Sequence, residues 1–398
     1  MTEQYTPLQS LRRGHWFKLI CGASFQHLPA IRNLTLAYTL AGADCIDVAA
    51  DPAVILAAKD ALDAATRISG QTNLRKGMGW QQPWLMVSLN DGEDPHFRKA
   101  EFVAAACPAE CLRPCELVCP ASAIDVSGVI HDRCYGCGRC LPICPIQHIT
   151  TRSYVSTAQA IAPLILEAGI DAIEIHTQPG RLADFQRLWM AIQPWASELK
   201  LLAVSCPRGD DLIQYLQALY DLMSPLPCPL IWQTDGRPMS GDIGMGTTKA
   251  AIQLGQQVLA ARLPGYVQLA GGTNHYTVPK LRSLNLLQPT EPLTDLAAAK
   301  LPFKASQYIA GVAYGSYARG LLAPVLEQLE TTELPRSLTL DRSQLQETRA
   351  RATAVHQLER FPLSQLEAVP HLLEEAVNLA YSLVSQLKPF HKPMLPIP

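Results

Sequence analysis

Hydrophobic positions follow two alternating patterns along most of the chain. Short continuous apolar runs predict buried strands, and between them apolar residues recur at helical spacing. The predicted strands are residues 16–24, 44–50, 84–90, 171–177, 201–206, 229–234, 265–270 and 307–313. The predicted helices are residues 28–41, 52–68, 156–168, 181–199, 209–223, 247–262 and 315–329. This alternation predicts an α/β protein with a parallel sheet covered by helices.

The number of strand–helix repeats favours a closed (β/α)₈ barrel. When the segment that interrupts the repeats is set aside, residues 16–330 leave about 255 residues, close to the usual barrel length of about 250. An open doubly wound sheet is the alternative, because periodicity does not show closure. The predicted organisation is a first part of the barrel (1–92), an insert (93–152), a second part of the barrel (153–330) and a C-terminal helical extension with a proline-rich tail (331–398).

The insert concentrates cysteine. Of the twelve cysteines in the chain, eight fall in two runs. The first run is Cys107, Cys111, Cys115 and Cys119, and the second is Cys134, Cys137, Cys140 and Cys144. The second run matches the C-x₂-C-x₂-C-x₃-C-P pattern of bacterial ferredoxins, in which three thiolates bind one iron–sulfur cluster and the fourth crosses to another. The paired runs therefore predict two clusters in a ferredoxin-like domain.

The ferredoxin pattern also predicts which cysteines share a cluster. Cys134, Cys137 and Cys140 join Cys119 at one cluster, while Cys107, Cys111, Cys115 and Cys144 bind the other. The wider spacing of the first run departs from the pattern, so a three-iron cluster stays open there beside a four-iron one. Structural zinc and disulfides are the competing interpretations, and both are disfavoured: zinc by two quartets that each end in Cys-Pro, disulfides by the lack of a secretory leader. The single cysteines are predicted to be buried apolar residues: Cys21, Cys45, Cys206 and Cys228.

Composition narrows the partners and the location. The net charge is −2 and no long basic run occurs, so a nucleic-acid partner is disfavoured. No apolar run is long enough to predict a transmembrane helix. Without a secretory leader, the expected location is cytoplasmic.

Polar and glycine-rich stretches follow several predicted strands, where barrel proteins place their sites. After the last two strands, Gly271, Gly272, Gly315, Ser316 and Arg319 could bind a phosphate group, for example that of a flavin. Plain tight turns are the equally weighted alternative for these glycines. The loop 233–248 could order around a ligand or be a mobile cover. His176 and His275 are predicted to be hydrogen-bonded structural residues rather than catalytic groups.

The C-terminal extension has helical composition over residues 341–360 and an apolar stripe beginning at Pro370. This stripe, which runs through Leu373, Val377, Ala380, Val384 and Leu387, is predicted to pack on the barrel, with a partner-binding helix as the alternative. Residues 388–398 are proline-rich and expected to be irregular.

The two cysteine runs, the opening Trp16–Gly22 and the loop Gln233–Thr248 together resemble the light-dependent period protein family (LdpA) of cyanobacteria over nearly the full chain. The resemblance implies a cytosolic iron–sulfur protein that senses cellular redox state, and through it light, and passes this to the circadian clock. The implied partners are the Kai proteins and the input histidine kinase, with a redox partner from photosynthetic electron transport. Only the eight cysteines carry over as functional residues.

Three functions are consistent with these patterns. The first is a redox sensor whose clusters change a surface that a partner reads. The second is an oxidoreductase in which the insert transfers electrons to a flavin or substrate at the barrel mouth, and no unmistakable catalytic constellation supports it. The third, a plain electron carrier, does not need a barrel of this size. The sensor is the favoured interpretation, and an enzyme is not expected.

Overall fold

The computed structural model describes residues 6–71, 81–92, 97–119, 121–153, 168–237, 246–288, 305–333 and 365–388. Several predictions fall outside these ranges. They are nearly all of helix 156–168, the centre of the loop 233–248, helix 341–360 and the tail beyond Lys388.

Eight parallel strands close into a barrel, as predicted, rather than forming an open sheet. They are β1 (Trp16–Ile20), β2 (Cys45–Ala49), β3 (Trp84–Asn90), β8 (Ala172–His176), β9 (Leu201–Pro207), β10 (Leu230–Asp235), β11 (Gly265–Ala270) and β12 (Ala305–Tyr314). Each strand pairs with the next in this order, and β12 pairs with β1 to close the ring. At this seam Trp16 lies opposite Gly311, where a Cβ would come within 2.1 Å of the Trp16 carbonyl oxygen. The closure therefore depends on glycine at this position.

Helices follow the strands and cover the barrel. They are α2 (Leu28–Leu40), α3 (Pro52–Gln71), α6 (Leu182–Ile192), α7 (Leu212–Met223), α8 (Thr247–Ala260), α9 (Thr277–Ser283) and α10 (Ser316–Glu333). The sequence predicted all of these except α9. The predicted helix 181–199 ends early, because its last part is a 3₁₀ segment, Gln193–Glu198, with Pro194 near its start.

The first strand is shorter than predicted and ends at Ile20 rather than at residue 24. Gly22 follows with a φ of +127°, a conformation that breaks a strand and that other residues rarely adopt. The chain therefore turns away from the barrel before α2 begins.

A short helix at the start of the chain, α1 (Pro7–Arg12), was not predicted. Its first turn is held by a capping box: the backbone N–H of Gln9 donates to Thr6 Oγ1 at 3.1 Å, and the N–H of Thr6 donates to Gln9 Oε1 at 3.0 Å. Leu11 is buried with Trp16 and Met86, so this helix closes the N-terminal end of the barrel interior.

The C-terminal helix α11 (Pro370–Val384) packs against α2 and α10 on the outside of the barrel. Its apolar stripe belongs to the main hydrophobic core, which confirms barrel packing for this segment. Two ion pairs add to the contact. Arg32 of α2 donates from Nη1 to Glu367 at 2.8 Å, and Lys388 Nζ lies 2.6 Å from Asp44 Oδ1 with both side chains buried.

Among the described residues no helix is long and apolar enough to cross a membrane.

Candidate iron–sulfur centre and its contact with the barrel

All eight cysteines of the two runs lie in the segment between β3 and β8, at the C-terminal end of the barrel. This segment contains two antiparallel pairs, β4 (Arg98–Glu101) with β7 (Thr150–Ser153) and β5 (Ile124–Asp125) with β6 (Gly128–Val129). Two one-turn helices, α4 (Pro114–Leu117) and α5 (Cys140–Ile143), contact each other. Its small separate core consists of Ala100, Cys115, Ala123, Ile124, Cys134, Cys140 and Ile149. A core this small commonly depends on bound metal for its stability.

The four thiols predicted to share one cluster are electrostatic neighbours. They are those of Cys119, Cys134, Cys137 and Cys140. Burial raises the pKa of the Cys137 thiol, and the nearby thiols of Cys119 and Cys134 raise it further. Burial, together with the nearby thiols of Cys137, Cys134 and Cys119, raises the pKa of the Cys140 thiol to about 12. The thiols of Cys119 and Cys134 thus lie close enough to affect the pKa values of Cys137 and Cys140, the other two cysteines predicted to share their cluster.

The loop that carries Cys134, Cys137 and Cys140 needs two unusual backbone conformations. Gly136 has a φ of +72° and Gly138 a φ of +74°, both in the left-handed region. Glycine adopts this conformation without steric cost, so the loop can turn tightly between Cys134 and Cys140.

Backbone N–H groups point at three of the sulfurs. Ala123 N donates to Cys119 Sγ at 3.2 Å, Ala100 N to Cys134 Sγ at 3.4 Å, and His148 N to Cys144 Sγ at 3.3 Å. Desolvation raises the pKa of the Cys144 thiol, but backbone amides, that of His148 foremost, outweigh it and lower the pKa. Such hydrogen bonds stabilise thiolates and tune the potential of iron–sulfur clusters.

The four thiols predicted to bind the other cluster are less closely grouped in the structure. They are those of Cys107, Cys111, Cys115 and Cys144. Cys115 and Cys144 both belong to the hydrophobic cluster of the insert, and Cys107 and Cys111 are partly exposed. Arg113, with a φ of +51°, lies close enough to Cys107 and Cys115 for their thiols to raise its pKa, after the larger effect of its hydrogen bond to Glu116.

The donor set fits an iron–sulfur cluster chemically. Burial and neighbouring thiols oppose ionisation of Cys137 and Cys140, since each thiolate disfavours the next. Positively charged iron removes this barrier, and soft thiolate ligands suit it. Within the described ranges, no three histidine, cysteine or carboxylate side chains are placed to hold a single metal ion.

The cysteine loop rests directly on the barrel. Tyr135, between Cys134 and Cys137, lies under the guanidinium of Arg319 from α10, with 4.4 Å from Arg319 Cζ to the ring centroid. The same ring meets Phe25 edge-on at 5.9 Å. Barrel side chains thus contact the residue that separates two predicted ligands.

Polar contacts hold the insert to the loop after β1. Gln26 N donates to the carbonyl of Asp132 at 3.1 Å. Lys99 Nζ donates to Gln26 Oε1 and to the carbonyl of His131, both at 2.7 Å. These bonds fix the insert over the first barrel strand.

A buried charged cluster inside the barrel was not predicted. Lys18 Nζ lies 2.9 Å from Asp47 Oδ2, and it donates to Glu174 and, at 3.0 Å, to Gln233 Oε1. His176 Nε2 lies 2.9 Å from Glu174 Oε1. Phe97 of the insert, itself buried, packs edge-on against the His176 ring with centroids 5.1 Å apart. The insert therefore covers this end of the charged cluster.

Burial and the charges of neighbouring side chains shift the pKa values of these buried charged residues in opposite directions. Burial by itself lowers the pKa of Lys18, but the carboxylates of Asp47 and Glu174 raise it above its usual value. Burial raises the pKa of Asp47. Burial opposes ionisation of Glu174 too, yet Lys18 and His176 lower its pKa from 4.5 to about 2. Lys18 and Glu174 are therefore a charged pair at neutral pH.

The five residues predicted to bind a phosphate lie in two separate places in the structure. Gly271 and Gly272 have positive φ, and a Cβ on Gly271 would lie 1.7 Å from Asp235 Oδ1. Their close packing against the chain itself accounts for both glycines. Gly315, Ser316 and Arg319 lie at the start of α10, beside the end of β1.

Both histidines named from the sequence have partners. His176 is buried and its Nε2 lies within hydrogen-bond distance of Glu174, and His275 Nδ1 lies 2.9 Å from the hydroxyl of Tyr317.

The closed barrel and the cysteine-rich insert define a (β/α)₈-barrel protein with an iron–sulfur-binding domain. Residues 107–155 match the family described as the LdpA Fe-S cluster-binding domain, and residues 164–386 match the light dependent period A C-terminal domain. The chain therefore belongs to the light dependent period A family. It is 48% identical to Light dependent period A of Synechococcus elongatus over 382 residues, which cover 96% of this chain and 94% of the relative.

Two solved structures are weakly similar to this chain. The carboxyl transferase domain of Rhizobium etli pyruvate carboxylase gives a TM-score of 0.34 at 13% identity, covering 94% of this chain and 50% of that one. The (S)-3-O-geranylgeranylglyceryl phosphate synthase of Thermoplasma acidophilum gives 0.26 at 10% identity, covering 79% of this chain and 92% of that one.

Proposed function

We propose that this chain is an iron–sulfur redox sensor that passes the light-dependent redox state of the cell to the circadian clock through protein partners. The observation that carries the proposal is the gathering of four predicted ligand thiols in an insert that rests on the barrel. Membership of the light dependent period A family supports the link to light-dependent period control.

The insert is proposed to be a ferredoxin-type domain with two clusters. Its two antiparallel strand pairs and two one-turn helices, each of which carries a cysteine, support this assignment. One four-iron cluster would be held by Cys119, Cys134, Cys137 and Cys140. The other, of four or three iron atoms, would be held by Cys107, Cys111, Cys115 and Cys144.

The contact between the insert and the barrel offers a route for the signal. A bound cluster takes up or gives up one electron, so the charge beside Tyr135 changes by one. The Arg319 guanidinium lies over that ring and also donates to the carbonyls of Ile20 and Cys21 at 2.8 and 3.0 Å. A shift of Arg319 toward or away from the cluster would therefore move the end of β1 and the start of α10.

The readers of this change are proposed to be clock proteins in the cytoplasm, namely the Kai proteins and the input histidine kinase. A component of photosynthetic electron transport is the proposed source of electrons. The sensor requires a cluster potential inside the range that this pool explores, which burial and hydrogen bonds to sulfur adjust.

The test replaces the chromosomal gene by one encoding Cys134→Ser and Cys137→Ser and measures the free-running clock period at low and high light. We expect the period to lose its dependence on light intensity while the protein remains present on immunoblots. The control is Cys228→Ala, which removes a buried thiol outside the insert and should leave the light response intact. A normal light response in the double variant would refute the sensor.

A second function, an oxidoreductase with a site at the barrel mouth, is favoured by one observation. Lys18, Glu174 and His176 form a charged cluster inside the barrel, beneath the insert. Flavin released from the purified protein, together with reduction of an electron acceptor, would support this function. An absorption spectrum of iron–sulfur clusters alone would count against it.

A further inference from the structure

A cavity of about 180 Å³ lies between the insert and two barrel helices. One wall comes from the insert and includes Arg133, Tyr135 and Arg139. The opposite wall is the apolar surface between α2 and α10, formed by Ala30, Leu34, Ala323 and Leu326. Ser316 and Arg319 close the end nearest the start of α10. The cavity is therefore cationic at one end and apolar along its length.

Arg319 is a buried cation that lies over the Tyr135 ring and has no carboxylate partner within the described chain. Its side chain is only 9% exposed. Its hydrogen bonds go to two backbone carbonyls and to Ser316 Oγ at 2.9 Å, and all three acceptors are uncharged. Its Nε has no hydrogen-bond partner although it is shielded from solvent. Burying an unpaired charge and an unused donor is costly, so this arrangement indicates an anionic partner.

The carboxylates that line the same cavity are too far along the helix to serve. Glu327 and Glu330 follow Arg319 by two and three turns of α10, a rise of about 12 Å and about 16 Å. Glu330 instead lies 4.0 Å from His27 Nε2, at the other end of the cavity. The two acidic groups thus mark the end opposite to Arg319.

We propose that this cavity binds a small organic carboxylate. The guanidinium of Arg319 would hold the carboxylate group, with Arg139 adding positive charge from the insert. The apolar body of the ligand would lie along Ala323 and Leu326 of α10. This site is separate from the two glycines after β11, which pack against the chain itself.

The size and the lining of the cavity set the class of ligand. A volume of about 180 Å³ equals the space of about six water molecules, the size of a small organic acid. A guanidinium matches the planar geometry of a carboxylate with two parallel hydrogen bonds. Inorganic phosphate would satisfy the charge but would leave the apolar wall uncovered, so an acid with an apolar body fits better.

The test is isothermal titration of the full-length, anaerobically purified protein with benzoate as the probe. Benzamide is the neutral probe of the same shape, and inorganic phosphate is the anion without an apolar body. We expect saturable benzoate binding, with benzamide and phosphate each at least about tenfold weaker. Arg319→Gln should weaken benzoate binding by at least about tenfold, because it removes the charged donor.

A second variant keeps the test decisive if Arg319→Gln unfolds the end of β1. Ala323→Phe fills the cavity, leaves Arg319 in place and should abolish benzoate binding. Its matched control, Gln328→Phe, adds the same side chain at an exposed position of the same helix and should bind benzoate normally. Equal binding of benzoate and benzamide, binding of phosphate alone, or normal benzoate binding by Ala323→Phe would each overturn the proposal.

Discussion

Replacing Lys18 by methionine tests the charged cluster inside the barrel. Methionine has a similar length but no charge, so the change leaves the Asp47 and Glu174 carboxylates buried without their cation. Lys18 and Glu174 are both 0% exposed, and Asp47 is 2% exposed. Removing one partner of such a buried pair costs about 3–5 kcal/mol.

The pKa of Glu174 gives an independent magnitude. Its decrease from 4.5 to about 2 corresponds to roughly 3 kcal/mol of stabilisation of the charged form. Because the folded pKa lies below the unfolded one, this contribution is complete above pH 4.5 and is lost as the pH falls toward 2. At neutral pH the full contribution is present, and Lys18→Met should remove most of it.

Thermal unfolding followed by far-ultraviolet circular dichroism measures the loss. Because the shift per kcal/mol falls with chain length, to about 1 °C for 398 residues, Lys18→Met should lower the melting temperature by about 3–5 °C. The double variant Lys18→Met with Glu174→Gln should lose less, because it strands one carboxylate fewer. The control is Lys200→Met, which removes a mostly exposed lysine from its pair with the half-buried Asp171 and should cost no more than about 1 kcal/mol. Equal melting temperatures for Lys18→Met and Lys200→Met would refute the reasoning.

Three further predictions concern the packing of the chain. Lys388→Met should lower the free energy of unfolding by about 3–5 kcal/mol in urea titrations, because it leaves the buried Asp44 carboxylate without its cation. An unchanged urea midpoint would refute the anchoring of the C-terminal segment by this pair. Thr6→Ala should cost about 1 kcal/mol in the same assay by removing the cap of α1, whereas Thr6→Ser, which keeps the hydroxyl, should cost less. Gly311→Ala should sharply reduce the yield of folded protein, because its Cβ meets the backbone of β1. The control Gly70→Ala adds a methyl group in open space on a helix and should be neutral or stabilising by up to about 1 kcal/mol. Equal yields and melting temperatures for the two variants would contradict the tight seam between β1 and β12.

The sequence predicted the barrel well because the barrel strands are mostly apolar runs, and such runs are visible without a structure. Closure itself depends on contacts between the first and last strands, where Gly311 meets Trp16, and no local pattern reports that pairing. The short helix α1 carried a readable signal, since Thr6, Pro7 and Gln9 form a capping box that a search for start signals would find.

The cysteine loop could be read as a proposed iron–sulfur site from the sequence, because the spacing of such ligands is set by local chain geometry. The charged cluster in the barrel was harder, although Lys18, Asp47 and Glu174 each stand at the centre of an apolar strand, which is an available signal for side chains facing the interior. The contact of Arg319 with Tyr135 joins residues far apart in the chain, so only the folded structure shows that the cysteine loop and α10 meet.

The most direct test of the account is the metal content of anaerobically purified protein, with iron and acid-labile sulfide counted and electron paramagnetic resonance recorded before and after reduction. The account predicts about eight iron atoms per chain, or about seven if the first run holds a three-iron cluster, together with the signals of two clusters. The Cys134→Ser and Cys137→Ser double variant should lose about four of these iron atoms. Colourless protein that contains zinc or no metal would contradict the central claim.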